Sequence, residues 1–299
     1  MTRNAAGSGK RRWWRYAAAA IVLVCAVWAA EWIMQVVRLR NETALNHLAG
    51  LRSEVLLDPG TLRALSPLDR DFDIAGDGSL LFARDGWLHE VMPDTGAPVA
   101  LPLPARLQSF AFDRGGPLLT VADGFLGRID AQGQIVSGVP LPEGDARLSP
   151  SLRPGATYLI VTYRKGSRLY RFLEDGSFQI LLESDRTLVA AADDRDNIYA
   201  ATGNMIVRLA DPKPVVVFKA PDDAAWGPIR SLAAGDDGLL LFSTDDKIFA
   251  LRDGVAVSIV NDSGGVLRVR DGRAYVLDAR RHLLYSLTPI SMAMFRGAL

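Results

Sequence analysis

A phrase of about forty residues recurs six times along this 299-residue chain, and no other feature limits its possible folds so tightly. Each copy is anchored on a turn dipeptide: Asp77-Gly78, Gly115-Gly116, Pro154-Gly155, Asp196-Asn197, Asp237-Gly238 and Asp271-Gly272. The second residues of these pairs lie 38, 39, 42, 41 and 34 positions apart. An apolar run flanks each anchor on both sides.

Every copy has the same grammar. An inner strand leads into the anchor: FDIAGD (72–77), FAFDRG (110–115), LSPSLR (148–153), AAADDR (190–195), LAAGDD (232–237) and VLRVRD (266–271). A second strand follows, as in SLLFA (79–83), TYLIVTY (157–163) and LLLFS (239–243). A tight turn such as Asp85-Gly86, Asp123-Gly124, Lys165-Gly166 or Gly203-Asn204 then reverses the chain. Asp-Gly and its relatives tolerate the positive φ that two-residue hairpins need. Third strands include WLHEV (87–91), FLGRI (125–129) and HLLYSL (282–287), and outer strands include VALPL (99–103), FQILL (178–182) and VAVSIV (255–260). This grammar predicts an all-β fold: a six-bladed β-propeller of four-stranded antiparallel blades over residues 54–290. The sixth unit runs out after its third strand, at Pro289. An open blade would expose sheet edges. EVLLD (54–58) is expected to supply the missing outer strand, with the C-terminal ISMAMF (290–295) as its rival.

Ahead of the repeats, residues 16–37 (YAAAAIVLVCAVWAAEWIMQVV) carry a single charge. As a helix they span about 33 Å, which matches a bilayer core. Trp13, Trp14, Trp28 and Trp32 bracket the segment like an interfacial belt. Arg11, Arg12 and Arg15 precede it, and only Arg38 and Arg40 follow closely, so residues 1–15 are placed in the cytoplasm and the rest outside it. A cleaved signal peptide would want small residues around Ala29-Ala30, where Val27 and Trp28 stand. The reading is an uncleaved, single-pass anchor in a bacterial inner membrane, with the propeller in the periplasm. Residues 38–53 lack proline and strand alternation, and Leu45, Leu48 and Leu51 fall near one face, so a short helical stalk is expected. Residues 291–299 form a C-terminal tail.

The zero net charge hides an asymmetry. Of the 34 Lys/Arg and 34 Asp/Glu, seven and one fall within residues 1–40, which leaves residues 41–299 with 27 and 33, a net of −6. A mildly acidic domain argues against nucleic acid as a partner. Cys25, the single cysteine, lies in the apolar segment, which excludes intramolecular disulfides and Cys-based zinc sites. His47, His89 and His282 are scattered, and no Gly-rich phosphate loop or Gly-x-Ser-x-Gly elbow occurs. These residues predict no catalytic group, metal ligand or cofactor.

The unit pattern Ile/Leu-x-x-Asp-x-x-Gly-x-Leu/Ile-Tyr, followed by an apolar-Arg-apolar third strand, resembles the NHL-repeat and SMP-30/gluconolactonase-like group of six-bladed propellers. The resemblance covers residues 54–290. It implies the fold, and for gluconolactonase-like members it implies a divalent metal at the channel mouth, held by a Glu near the start of blade one, Asn residues and an Asp. No Glu precedes the first inner strand in that manner here, and Asn197 falls on a turn anchor.

One positional pattern suggests a site. Eight residues before each anchor stand Arg70, Gln108, Arg147, Val189, Arg230 and Gly264, with Arg186 three residues before Val189. In a propeller this lead-in loop shares a face with the turns between second and third strands, around the central channel. Arg70, Arg147, Arg186 and Arg230, with Gln108, are therefore expected around one mouth, where guanidinium forks suit carboxylate or phosphate. The alternative ties each arginine to an inner-strand acid: Asp71, Asp73, Asp145 or Asp193. The longest lead-in loop, APDDAAWGPIR (220–230), brings Trp226 to this face, either as a binding aromatic or as a cap on the core. The first reading is thus a membrane-anchored periplasmic module that binds or scaffolds. Its partner would be a protein, including another membrane protein, or an anionic ligand. A lactonase- or lyase-like hydrolytic enzyme using the same mouth is the alternative, and a sensor subunit is a third.

Overall fold

The computed structural model describes residues 26, 28–30, 51–57, 72–75, 78–84, 87–91, 98–101, 107–112, 118–129, 135–153, 155–220, 226–235, 238–278 and 280–288. The chain divides into two units, 1–48 and 49–299. In the first, Ala26 and Trp28, Ala29 and Ala30 are helical. The remainder of the expected anchor and stalk up to residue 50, Arg70, and the tail 291–299 lie outside the described residues. Among the described residues no helix is long and apolar enough to cross a membrane.

The second unit is built from strands alone among its described residues. β1 (Arg52–Leu57) comes first, and Arg52 and Ser53, expected to end a helical stalk, are its opening residues. Blade one follows as β2 (Phe72–Ile74), β3 (Leu80–Arg84), β4 (Trp87–Val91) and β5 (Pro98–Leu101). Blade two is β6 (Leu107–Phe112), β7 (Leu118–Ala122), β8 (Phe125–Ile129) and β9 (Ile135–Pro140). Blade three is β10 (Asp145–Ser149), β11 (Thr157–Tyr163), β12 (Gly166–Phe172) and β13 (Phe178–Ser184). Blade four is β14 (Leu188–Ala192), β15 (Ile198–Thr202), β16 (Met205–Arg208) and β17 (Val215–Lys219). Blade five is β18 (Ser231–Ala234), β19 (Leu240–Ser243), β20 (Lys247–Arg252) and β21 (Val255–Asn261). Blade six is β22 (Val266–Arg270), β23 (Arg273–Asp278) and β24 (Leu283–Thr288), completed by β1. The result is six four-stranded antiparallel sheets, the predicted six-bladed propeller. β1 pairs with β24 from Arg52↔Thr288 to Leu57↔Leu284, so the segment containing EVLLD closes the ring.

The core is divided among the seams between blades, and this explains the continuous apolar runs. Leu239, Leu240, Leu241 and Phe242 are all buried. Successive strand residues point to opposite faces. Leu239 and Leu241 pack with blade six residues such as Leu267 and Val276, while Leu240 and Phe242 pack with blade four residues such as Ile206 and Phe218. The blade six–one seam joins Leu57, Leu277 and Leu284 to Phe72, Ile74 and Leu80. Corresponding clusters fill the seams between blades three and four, two and three, and one and two. Inner-strand side chains also stitch neighbours together. Ser109 Oγ accepts from Leu148 N at 3.0 Å, Ser231 Oγ accepts from Leu267 N at 3.0 Å, and Ser149 Oγ donates to Ala190 O at 2.7 Å.

The inner strands end earlier than the sequence suggests, at Ile74, Ser149, Ala192 and Ala234 among others. In blade four the last predicted residues, Asp194 and Arg195, belong to a turn. Asp193 shows the cause: its Oδ1 accepts from Arg195 N and Asn197 N at 2.9 and 2.8 Å, and its Oδ2 accepts from Asn197 Nδ2 at 2.7 Å. An aspartate that caps a turn in this way competes with the ladder for backbone donors. Asp123-Gly124 and Asp271-Gly272 both carry positive φ at consecutive residues, the two-residue hairpin geometry that favours Asp-Gly. His282, expected to open the third strand of blade six, instead sits in the preceding turn with φ 53°.

Candidate functional site

Inner strands begin on one face of the ring, here called upper, and end on the lower face. Turns joining second to third strands share the upper face, because strands alternate in direction. Gln108, Arg147, Arg186 and Arg230 all lie at the upper ends of their blades and are exposed. Gln108 is the residue skipped where the β6–β7 register shifts between Leu107 and Ser109, a bulge that leaves it without a cross-strand partner. Arg147 stands 3.8 Å from Asp145, with both side chains 59% exposed. Arg186 lies against the Gly203 turn: a Cβ added there would meet its guanidinium at 3.0 Å.

Arg230 is more tightly held. Its Nε and Nη2 donate to the two oxygens of Asp245 at 2.9 and 3.2 Å. Arg280 Nη2 donates to the backbone carbonyl of the same Asp245. The upper turns of blades five and six therefore bring two guanidinium groups to one aspartate. Of the expected inner-strand partners, Asp145 stands 3.8 Å from Arg147, whereas Asp193 caps its own turn, Asp73 Oδ2 accepts from Phe112 N at 2.7 Å, and Asp71 lies outside the described residues. Arg230 meets a turn acid, because its lead-in loop and the turn carrying Asp245 are neighbours on the same face.

Trp226 caps the core. Its ring stacks on Phe249 at 4.6 Å and 13°, with Phe218 at 5.8 Å, and Phe242 continues the stack at 4.8 Å from Phe249. This aromatic column belongs to the seam between blades four and five.

Residues not foreseen by position complete the upper face of blade six. Asp278, 1% exposed, accepts from Ser263 Oγ at 2.8 Å and from Arg280 N and Arg281 N at 3.0 and 3.1 Å. Tyr285 Oη lies 2.8 Å from the same Ser263 Oγ. His282 Nδ1 is buried, and among the described residues it has no hydrogen-bond partner. Arg280-Arg281, standing where other blades carry Asp-Gly, was the sequence signal for this cluster. In blade three, Tyr163 and Tyr170 hydroxyls lie 2.6 Å apart beside Arg168, which reaches Glu183 at 2.7 Å. Burial pushes the Tyr163 phenol above its ordinary value, and the Tyr170 hydrogen bond adds to the effect.

Among the described residues the divalent site implied by the gluconolactonase-like resemblance finds no fitting donors. Among the described residues no three His, Cys, Asp or Glu side chains come together to hold a metal ion. Asn197 and Asn204 use their amides on Asp193 and on the Ala220 carbonyl.

No protein-family model matches this chain, and no curated protein sequence matches it. Solved structures do. A gluconolactonase from Xanthomonas campestris is 15% identical with a TM-score of 0.58, covering 79% of this chain and 89% of that one. A virginiamycin B lyase from Staphylococcus aureus is 14% identical with a TM-score of 0.56, covering 80% and 98%. The calcium-binding protein regucalcin from Agrobacterium tumefaciens is 15% identical with a TM-score of 0.59, covering 80% and 94%. Likeness at this level of identity establishes the fold.

Proposed function

We propose that the chain is anchored in a membrane through residues 16–37 and holds its propeller outside the cytoplasm, as a module that binds an anionic ligand or an acidic protein segment at the upper face. The observation that carries this reading is Arg186. It is exposed on the face that also bears Arg147 and Arg230, and among the described residues no carboxylate lies in ion-pair range of it. Among the described residues the acids paired with Arg147 and Arg230 are as exposed as the arginines themselves. Such surface pairs contribute about 0–1 kcal/mol and yield readily to a better anion.

The test is capture from a membrane extract by the full-length protein, beside an Arg147→Glu/Arg230→Glu variant. The wild type is expected to retain a partner that the variant loses, while both melt within a few degrees. An identical captured set rejects the reading. A periplasm-active reporter fused after Leu299, with sequencing of the mature N-terminus, checks the anchor. A mature chain beginning near Ala30 would overturn it.

The fold relatives support a second reading at least as well: a lactonase- or lyase-like enzyme working at the same mouth. Gluconolactonase and lyase are among the proteins whose structures this ring resembles. Opening of simple lactones by the purified protein, abolished by the same double variant, would favour it over a pure binding role.

A further inference from the structure

Blades two and three part at their lower ends and leave a cleft of about 430 Å³ in the seam between them. That volume falls in the range of about 300–1,000 Å³ that small-molecule sites occupy. The cleft exists because blade three is short of side chains there. Its lower turns carry Gly155 and Gly176, both with positive φ, and among the described residues a Cβ added to either would meet nothing within 4 Å. Blade two supplies the opposite wall. Arg128 on β8 pairs with Leu119 on β7 and with Ser137 on β9, so the three side chains share one face of the blade.

The floor is apolar and the sides are charged. Leu126, 4% exposed, belongs to the core of this seam, and Leu119 and Phe172 pack against that core. Arg128 is exposed on the blade two wall, and Glu174 and Asp175 are exposed on the β12–β13 hairpin of blade three. All three line one cleft, yet among the described residues neither acid is in ion-pair range of Arg128, and neither Arg128 nor Glu174 has a partner elsewhere. Asp175 is fixed by its own hairpin: Oδ1 accepts from Ser177 Oγ and Ser177 N at 2.6 and 2.9 Å, and these bonds hold its carboxyl below the ordinary value. Opposite charges that share a cleft without meeting leave a span for a molecule that carries both.

We propose that this cleft binds a short apolar peptide with free ends, its carboxylate on Arg128, its ammonium on Glu174 beside Asp175, and its side chains over Leu119 and Phe172. A peptide separates its terminal charges by about 3.3–3.6 Å for each residue, whereas a free amino acid carries both on one carbon. The site lies in a seam at the lower end of the ring and does not depend on the function assigned to the upper face.

The experiment is calorimetric titration of the full-length protein with trileucine in four forms: free, N-acetylated, C-amidated and capped at both ends. Saturable binding of the free peptide is expected, weakened about tenfold or more by either cap, since each removes one terminal charge. Arg128→Gln should weaken the free peptide to a similar degree and leave the C-amidated one unchanged. Glu174→Gln should weaken the free peptide and leave the N-acetylated one unchanged. No saturable binding of the free peptide overturns the proposal, as does a cap at either end that changes nothing. A variant that binds the free peptide like the wild type, or that weakens its matching capped peptide as much as the free one, overturns it too. Should either variant fail to fold, the four peptides on the wild-type protein still decide, because a cap on the ligand leaves the fold untouched.

Discussion

Removing the Leu57 side chain should weaken the whole ring, because β1 is fastened from both of its faces. Leu57, 4% exposed, sits in the seam with blade one, and Leu51, 3% exposed, sits in the seam with blade five. Val55 lies between them in sequence but is 57% exposed, contrary to the simple alternation that would bury it with Leu57. The register shift between Val55 and Leu57 explains this, since it puts the two residues out of phase. A buried Leu→Ala change costs about 2–5 kcal/mol, which is roughly 4–20 °C in melting temperature for a domain of this size. Leu57→Ala and Leu51→Ala should each fall in that range. Val55→Ala should stay within about 0.5 kcal/mol. The two leucines occupy different clusters, so their costs should add. Calorimetric melting of the three single variants and the Leu51→Ala/Leu57→Ala double variant is the assay. Coincident melts for Val55→Ala and Leu57→Ala would refute the closure argument, as would a double variant no worse than either single.

Further outcomes are expected. Trp226→Ala should cost about 2–4 kcal/mol by opening the aromatic column on Phe249, and Trp226→Phe clearly less; equal losses would show that the stack adds nothing. Gly166→Ala should destabilise by at least about 1–3 kcal/mol, because φ is 143° there and a Cβ would lie 2.1 Å from the Ser184 carbonyl oxygen; a neutral result in urea unfolding would contradict the geometry. Burial, then the hydrogen bond from Tyr158 Oη to Asp196, pushes the Tyr158 phenol well above its ordinary value. The unfolded chain releases that proton at about pH 10 while the folded one keeps it, so the stability it contributes is present below pH 10 and lost above. Melting from pH 8 to 11 should therefore fall, and fall less steeply for Tyr158→Phe; identical slopes would count against it.

The blades were legible because turn chemistry and strand period agree at every repeat. β4, β8 and β11 have the bounds read from the sequence. Inner strands were read too long because an Asp-x-x-Asp or Gly-Asp-Asp run looks like a strand end until a side chain such as Asp193 is seen capping the turn. The upper-face arginines were legible as a shared repeat position, but their partners were not. Asp245 meets Arg230 across fifteen residues of sequence through loop adjacency, which no periodicity encodes. The seam cleft was not legible. Arg128 looked like any arginine of a third strand, and only the packing of blade three beside blade two gives it an opposite wall.

The strand that locks the ring is also the strand by which everything before Leu51 is attached to it. Any tension on that leading segment reaches the propeller at the Arg52–Thr288 end of the β1–β24 ladder. A ladder loaded from one end opens pair by pair, and the first obstacle it meets is Leu51, a peg in the seam between blades five and six. Pulling thus works on the same joint that holds blade six against both of its neighbours. A cut ahead of Leu51 would release a complete ring. A cut between Leu57 and Phe72 would leave the ring's last strand held by packing and hydrogen bonds alone, and a tether that could then be drawn out of the blade.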